Sequence, residues 1–473
     1  MKSHVLLILD EESVAESRGV TFHLNAVTKH PENPVMLPGE PHQWDSLCVS
    51  WPGTVLYSPR DRTFRCWYLG LDVVQTPERI WHTGYAESDD GIHWTKPDLG
   101  QVEFLGRPTN QIHNDWGAYY LSFVFENPLP DAPPSQRFGG FWTRFRFEDE
   151  TKDWNKAQWC KTLAWSPDGV RWTFDCIAYS ERPYMRDPCR PFLDIYQLLY
   201  DPDDSDAAFR WKGYSQIFVP RPDGWGPPGV RNIGLVHGTD VRKVENATNP
   251  VILSPLASID EELHFAVVRK IGGQYLMLLE SDRFSKNPIH GDLRLAVSRD
   301  GRNFRRVHPR APLVATGPKG TWDENLLVTN SAGWQEVGDE VWIHYFGCPR
   351  MYQSWPAQYE FSPERRGSHI APVYLGLATL PRDRFAYATG DGTLTTRPLE
   401  LTADGLWLNA TGDPQVTALD ESGKSLARGK LGEERRLTVY RKVVWKDASP
   451  SGTHRVRLAL TARDRLFSVR WGR

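Results

Sequence analysis

The stretch LAVSRDGRNF, residues 295–304, joins an alternating apolar run to a tight turn and an aromatic residue. Its central pattern, S-x-D-G-x-x-[W/F], occurs three times: SDDGIHW from Ser88, SPDGVRW from Ser166 and SRDGRNF from Ser298. Asp-Gly tolerates the positive φ that a tight hairpin needs, and the serine and aspartate side chains accept hydrogen bonds from turn amides. The pattern therefore predicts a repeated turn that joins the outer two strands of a small sheet.

Strand-like runs precede each of these turns. In the unit that ends at Ser298 they read LHFAVVRK, GQYLMLLES and LRLAVSRDG. Similar sets recur five times, and in the third set the turn is degraded to HGTDVRKV. The first strands are predicted to begin near Asp45, Asp115, Asp194, Glu262 and Asn325, at steps of 70, 79, 68 and 63 residues. Five four-stranded units of this size predict an all-β fold, a five-bladed β-propeller over residues 1–388, with a double sandwich as the alternative.

The sequence changes in character from about residue 390. The runs GDGTLTTRPLEL (390–401) and HRVRLALTARDRLFSVRWGR (454–473) alternate polar and apolar residues. The intervening QVTALDESGKSLARG (415–429) is typical of a hairpin around a Ser-Gly turn. Because such alternation predicts strands with one buried face, we expect a small C-terminal β-sandwich over residues 389–473.

Composition excludes several classes of partner. The 473 residues include 59 acidic and 56 basic side chains, for a formal net charge of −3, and no block of like charge stands out. This balance predicts neither nucleic-acid nor membrane-surface binding. The N-terminal apolar run VLLIL (5–9) is too short for a signal peptide. We therefore expect a soluble protein, with export through a removed signal as the alternative, and the oligomeric state stays open.

Cysteine usage predicts no zinc site. The six cysteines are scattered and form no C-x-x-C pair: Cys48, Cys66, Cys160, Cys176, Cys189 and Cys348. Reduced, buried thiols are expected, and a Cys160–Cys176 disulfide is the alternative for an exported protein. No cofactor and no catalytic metal are predicted, although a structural divalent cation on the propeller axis fits the fold.

Acidic residues stand at the predicted start of the first strand in every unit. They are Asp45, Asp115, Asp194, Glu262 and the pair Asp323 and Glu324. The inner strands of a propeller run parallel, so their amino-terminal ends meet in one funnel. Clustered carboxylates raise one another's pKa, which suits glycoside hydrolysis, where one acid stays protonated and another stays ionised. The pattern therefore predicts a carboxylate acid/base site in the funnel.

Aromatic and histidine residues next to these acids fit a sugar substrate. Trp44, Trp116 and Trp322 each adjoin an acid, and indole rings pack against the C–H faces of sugars. His264 and His369 offer hydrogen-bond donors. An oligosaccharide or glycoside is therefore the predicted substrate, and two segments, 127–140 and 347–369, are expected to be rim loops.

Taken together, these stretches resemble the five-bladed propeller glycoside hydrolases, namely the fructosidase (invertase/levanase-like) amino-terminal domain proteins and the arabinanase-like clan. The resemblance is carried by segments across most of the chain: KHPENPVM (29–36), GTVLYSPRDRTFRCWYLG (53–70), YAESDDGIHWTKPDLG (85–100), LRLAVSRDGRNFRRV (293–307), GTWDENLLVTNSAGWQEVGDEVWIHYFG (320–347) and GLATLPRDRFA (376–386). It implies a glycosidase, with furanosides among the candidate substrates.

The resemblance also implies roles for three acids. The nucleophile or base matches Asp45, and the acid/base glutamate matches Glu262, since Glu261 should point to the opposite face of its strand. The transition-state-stabilising Asp of an Arg-Asp-Pro motif matches Asp194 best, with Asp187 of the Arg186–Pro188 tripeptide as second choice. Arg186 and Asp187 are also predicted to contact substrate.

Besides a sialidase, suggested by the S-x-D-G-x-x-W turns, and a protein-interaction propeller, two other functions stay open. A sugar phosphorylase on the same fold would need a cationic cluster at the funnel, which residues such as Arg186 and His369 would supply. A non-catalytic carbohydrate-binding propeller would use the same rings and acids only to hold sugar. Phosphate dependence of turnover identifies the first, and binding without turnover identifies the second.

Overall fold

The structure is a computed structural model. It describes residues 4–72, 82–146, 158–181, 194–219, 230–256, 261–283, 290–349, 372–402, 405–433, 439–446 and 449–472. These residues form strands, turns and three 3-10 helices of three residues each: Glu11–Ser13, Pro134–Gln136 and Ala207–Phe209. The predicted all-β class is therefore confirmed. None of the helices in the described ranges has the length and hydropathy needed to cross a membrane.

The strands fall into an N-terminal set, five consecutive groups and a C-terminal set. The N-terminal set is β1 (His4–Leu7), β2 (Glu16–Arg18), β3 (Thr21–Leu24) and β4 (Thr28–Lys29). Unit 1 holds β5 (Cys48–Ser58), β6 (Thr63–Leu71) and β7 (His82–Ser88), followed by the short hairpin β8 (Glu103–Phe104) and β9 (Arg107–Pro108). Unit 2 holds β10 (Tyr120–Glu126), β11 (Phe138–Arg146), β12 (Gln158–Ser166) and β13 (Thr173–Glu181).

The remaining strands continue in chain order. Unit 3 holds β14 (Asp194–Tyr200), β15 (Trp211–Val219), β16 (Val230–Asp240) and β17 (Lys243–Leu253). Unit 4 holds β18 (Glu261–Ile271), β19 (Gln274–Arg283), β20 (His290–Ser298) and β21 (Arg305–Val307). Unit 5 holds β22 (Leu326–Thr329), β23 (Gln335–Val337), β24 (Glu340–Cys348) and β25 (Tyr374–Pro381). The C-terminal set is β26 (Ala386–Thr389), β27 (Gly392–Thr395), β28 (Leu399–Leu401), β29 (Leu406–Thr411), β30 (Gln415–Leu419), β31 (Ser425–Leu431), β32 (Tyr440–Trp445), β33 (Gly452–Leu460) and β34 (Arg465–Trp471).

Each unit is an antiparallel meander. Units 2 and 3 are separate four-stranded sheets, and in unit 1 a bridge from Glu87 to Thr95 takes the fourth position. In unit 5 the outermost strand is β4, which comes from the N-terminal end of the described chain and pairs with β25. The first strands contact one another in the order β5, β10, β14, β18 and β22, and β25 returns to contact β5. These contacts link the five strand groups in a ring, and the count of five propeller blades stays a prediction.

Buried polar side chains hold adjacent units together. The Gln197 amide of unit 3 donates to the Val268 carbonyl at 3.0 Å and accepts from the Val268 N–H at 2.6 Å. Thr54 of unit 1 accepts from the Val124 N–H of unit 2 at 2.9 Å. These bonds satisfy main-chain groups on the inner edges of β18 and β10, which are the first strands of their sheets, so the inner strands are fixed relative to one another.

The repeated turns form as predicted. In the third of them, Ser298 Oγ accepts from the Gly301 N–H at 2.9 Å, while Asp300 accepts from the N–H groups of Arg302 and Asn303. Gly301 has a φ of 69°, in the left-handed region that glycine adopts without strain. The turns at Ser88 and Ser166 have the same bonds, and all three join the third strand of a unit to its fourth position.

A second sheet system combines both ends of the described chain. Strand β1 pairs with β34, β2 with β27 and β3 with β26, so residues 4–24 join the C-terminal sheets. The expected boundary at 388/389 divides the sequence after β25, whereas these pairings place the N-terminal strands in the C-terminal unit. The reason is that β26 and β34 expose main-chain edges that only a distant segment covers.

The expected alternative of a Cys160–Cys176 disulfide is not seen. Neither residue forms a disulfide, and the same holds for Cys48, Cys66 and Cys348. In the β12–β13 register Cys160 lies opposite Ser180, and Cys176 lies opposite Leu163, so the two sulfur atoms belong to different cross-strand pairs.

Candidate active site

Asp45, the predicted nucleophile, is held in a buried ion pair. Its carboxylate is 1% exposed, accepts from Tyr68 Oη at 2.7 Å and lies 2.5 Å from Lys96 Nζ. The adjacent Trp44 ring stacks on Tyr68 with centroids 5.8 Å apart and contacts the main chain at Gly70. We call Trp44, Asp45, Tyr68 and Lys96 the first clasp, because together they tie the segment before β5 to the face of unit 1.

Asp323 is held in the same way in unit 5. It is 3% exposed, accepts from Tyr345 Oη at 3.0 Å and lies 2.5 Å from Lys29 Nζ. Trp322 stacks on Tyr345 at 5.7 Å and contacts Gly347, as Trp44 contacts its own glycine. Lys29, Trp322, Asp323 and Tyr345 form the second clasp. Because the two copies share every partner type, the ion pairs give both aspartates a structural role, and the nucleophile role of Asp45 stays a prediction.

The tryptophans predicted to face sugar are packed into the core. Trp44 is 3% exposed and belongs with half-buried Trp322 to the main hydrophobic cluster. Trp116 is half-buried against Trp142, with ring centroids 5.3 Å apart. A sugar-stacking role for these three rings stays a prediction. Their packing against other side chains does not favour that role.

The other predicted contacts are spread over several places. Asp115 is exposed in the segment before β10. Glu324 is half-buried and accepts from the Gly320 N–H within its own loop. Asp194 is the first residue of β14, opposite Gln216, and its side chain lies outside the described part of the chain. Arg186, Asp187 and His369 also lie outside the described residues.

Glu262 lies at the boundary of units 3 and 4. It is 1% exposed, and its Oε2 is 3.1 Å from Nη1 of Arg231, the second residue of β16. As expected from strand alternation, Glu261 points the other way, where it pairs with Arg306 and accepts from Ser281 Oγ. Glu262 therefore belongs to a different environment from its neighbour and faces the side chains of β19.

The sequence did not predict a second pair of acidic residues, which lies on β19. Glu280 and Asp282 point to the same face, and the Cα of Asp282 lies opposite that of Glu262. Nδ1 of His264 is 3.4 Å from Glu280 Oε1, and His264 is the partly exposed member. We call Arg231, Glu262, His264, Glu280 and Asp282 the unit 4 cluster. The available signal was the acidic alternation in LLESDRF (278–284), inside an otherwise apolar run.

The two β19 carboxyl groups are buried near Arg231 and His264, and both oxygens of Glu280 and Oδ1 of Asp282 lack a hydrogen-bond partner among the described residues. Burial raises the pKa of Glu280 to about 8, and Asp282 and the charge of Arg231 partly offset that rise. Burial also raises the pKa of Asp282 well above its usual range, and the negative charge of Glu280 adds to the rise. Carboxyl groups in such a setting hold either a proton or a cation.

Comparisons with known proteins extend only to the fold. The sequence matches no protein-family model, and no curated protein matches it. A solved structure described as "Glycoside hydrolase" is similar at 15% identity and a TM-score of 0.48, over 75% of this chain and 94% of that one. An N-acetylgalactosamine deacetylase from F. plautii, in complex with blood group B trisaccharide, is 14% identical with a TM-score of 0.47, over 76% and 97% of the two chains.

A third similar structure is the beta-1,2-mannobiose phosphorylase from Listeria innocua, in its beta-1,2-mannobiose complex. It is 10% identical with a TM-score of 0.47, over 75% of this chain and 96% of that one. Because these three proteins carry different activities in their names, the similarity leaves the reaction of this chain to be argued from its own side chains.

Proposed function

We propose that the protein is a glycoside hydrolase whose catalytic carboxylates lie at the amino-terminal ends of β14 and β18. The observation that carries the proposal is the position of two predicted acids on neighbouring inner strands. Asp194 is the first residue of β14, Glu262 is the second residue of β18, and the two strands contact each other. Two carboxyl groups are the minimum that acid/base cleavage of a glycosidic bond needs.

In this proposal Glu262 is the acid/base residue. Arg231 donates to its Oε2 and so fixes the direction of the carboxyl group. Gln197 fixes β14 against β18 through both main-chain groups of Val268, which keeps the Asp194 end in register with the Glu262 end. Asp194 is then the second carboxylate, which activates water or stabilises positive charge on the sugar ring.

Separation of the two carboxyl groups decides the stereochemical outcome. A distance of about 5–5.5 Å corresponds to retention, and about 6.5–9.5 Å to inversion. Asp45 retains its predicted role only if it acts while bound to Lys96 and Tyr68, so Glu262 and Asp194 are the first residues to substitute.

The test is hydrolysis of a panel of aryl α- and β-glycosides, furanosides included, by wild type, Glu262→Gln and Asp194→Asn. We expect kcat to fall by roughly 10²–10⁴ in both variants on a substrate that the wild type cleaves, because each removes a group that transfers a proton or stabilises charge. Glu261→Gln is the matched control, since it neutralises the next residue on the opposite face of the same strand.

Three results would change the proposed acid/base residue or the proposed function. Unchanged turnover in Glu262→Gln would move the acid/base role elsewhere. Turnover that requires inorganic phosphate would identify a sugar phosphorylase. Sugar binding by the wild type with no turnover on the whole panel would identify a carbohydrate-binding propeller.

A further inference from the structure

We propose that His264, Glu280 and Asp282 bind one divalent cation. One potential ligand atom from each residue lies within 4.8 Å of the other two, so a single ion fits among them. Glu280 and Asp282 are two residues apart on β19, which places them on one face. His264 comes from β18, at the irregularity in strand pairing between Leu263 and Ala266. The three ligands are thus supplied by two adjacent, hydrogen-bonded strands.

The carboxylate oxygens at this place lack donors. Glu280 is 0% exposed and Asp282 is 4% exposed, and both oxygens of Glu280 and Oδ1 of Asp282 meet no hydrogen-bond donor among the described residues. Burying an ionised carboxylate without a donor or cation is costly, and an ion is one of the groups that remove the cost. The three oxygens therefore point to a ligand.

Space beside Asp282 is kept by a glycine. A Cβ atom built on Gly291 of β20 would come within 2.2 Å of Asp282 Oδ1. Any larger residue would displace that carboxylate from the cluster. Gly291 does not have the positive φ that would otherwise require glycine, so the close approach of Asp282 Oδ1, together with that of Leu326 Cδ1 at 2.5 Å from the same Cβ position, explains its identity.

Charge also favours a cation. Glu262, Glu280 and Asp282 contribute three negative charges when ionised, and Arg231 contributes one positive charge, which leaves −2 with His264 neutral. A divalent ion neutralises that excess. The partly exposed His264 is the cluster member that connects the buried oxygens to solvent, and Glu262 with Arg231 would form the outer layer around the ligands.

The ligand chemistry selects the class of ion. One imidazole nitrogen and two carboxylates suit Mn²⁺ or Zn²⁺ better than Ca²⁺ or Mg²⁺, which prefer oxygen ligands throughout. The three ligands belong to β18 and β19 of unit 4, whereas the cation expected from the sequence was placed on the propeller axis without assigned ligands. Ion binding is tested independently of the proposed glycosidase activity, because it is measured without any substrate.

The experiment is calorimetric titration of the chelator-treated full-length protein with MnCl₂, ZnCl₂ and CaCl₂, each followed by thermal unfolding. We expect one saturable site for Mn²⁺ or Zn²⁺, with a higher unfolding temperature in the bound form. Glu280→Gln and Asp282→Asn should each weaken binding by more than roughly 100-fold, because they remove a ligand. Glu261→Gln removes a carboxylate from the opposite face of β18 and should bind as the wild type does.

Folding of the variants is measured in chelator. The amide variants remove a buried charge that has no donor, so their unfolding temperatures should equal or exceed that of the metal-free wild type. Absence of saturable binding by the wild type would overturn the proposal, and so would wild-type affinity in Glu280→Gln, which would place the ion on the surface. X-ray absorption of the Zn²⁺ form should show one nitrogen ligand that is lost in His264→Gln.

Discussion

The two clasps and the unit 4 cluster both contain buried acidic side chains. They differ in the hydrogen-bond and charge partners that these acids have. Asp45 and Asp323 each have a lysine and a tyrosine as partners. Glu280 and Asp282 are as deeply buried, yet three of their four oxygens meet no donor among the described residues. Burial alone therefore does not identify a functional acid. An acid paired with its own lysine has a structural explanation, whereas a buried acid without such a partner holds either a proton or a cation.

The largest expected effect is loss of a clasp lysine. Lys96→Met should lower the free energy of unfolding by about 3 kcal/mol, because it leaves the Asp45 carboxylate buried without its cation. Lys29→Met should cost a similar amount through Asp323, since the two clasps share the same partners. Chemical denaturation with an unchanged m-value checks both. If either variant lost less than about 1 kcal/mol in the free energy of unfolding, the clasp would behave like a surface ion pair, and the contrast with the unit 4 cluster would not hold.

A matched pair of aspartate variants separates structure from catalysis. Asp45→Asn and Asp323→Asn should each cost about 2 kcal/mol in stability, since the amide keeps one hydrogen bond and loses the ion pair. Turnover per folded molecule should be equal in the two. If Asp45→Asn alone lost activity by orders of magnitude, Asp45 would be the nucleophile that the sequence suggests, and the likeness of the two clasps would be limited to their geometry.

The smallest effect concerns exposed acids in the repeated turns. Burial raises the pKa of Asp300, but hydrogen bonds from the Arg302 amide and from Asn303 outweigh it and lower the pKa to about 2. An acid with a lowered folded-state pKa stabilises the fold above about pH 4, and that contribution is lost as the pH falls towards 2. Asp300→Asn should therefore reduce the slope of stability against pH between 4 and 2. An unchanged slope would show that the turn hydrogen bonds persist when the acid is neutral.

Hydrogen bonds between residues close in sequence could be predicted from the motifs, whereas contacts between residues far apart in sequence could not. The Ser298 and Asp300 side chains bond to amides within five residues, so their roles follow from the motif itself. Lys96 is 51 residues from Asp45, and Lys29 is 294 residues from Asp323. The repeated pairs Trp-Asp and Thr-Lys were visible signals of the clasps. Nothing within LLESDRF shows that His264 faces Glu280, because that contact depends on the register of β18 against β19.

Closure of unit 5 by β4 sets an order of events during synthesis on the ribosome. Residues 4–29 are made early, but the partners of β4 in β25 and those of β1 in β34 are made several hundred residues later. Throughout that time the main-chain groups of these strands have no native partner. Strand β4 can therefore pair once β25 is made, whereas β1 must wait for β34 at the end of the C-terminal set, so the ring can close before the C-terminal sheets are complete.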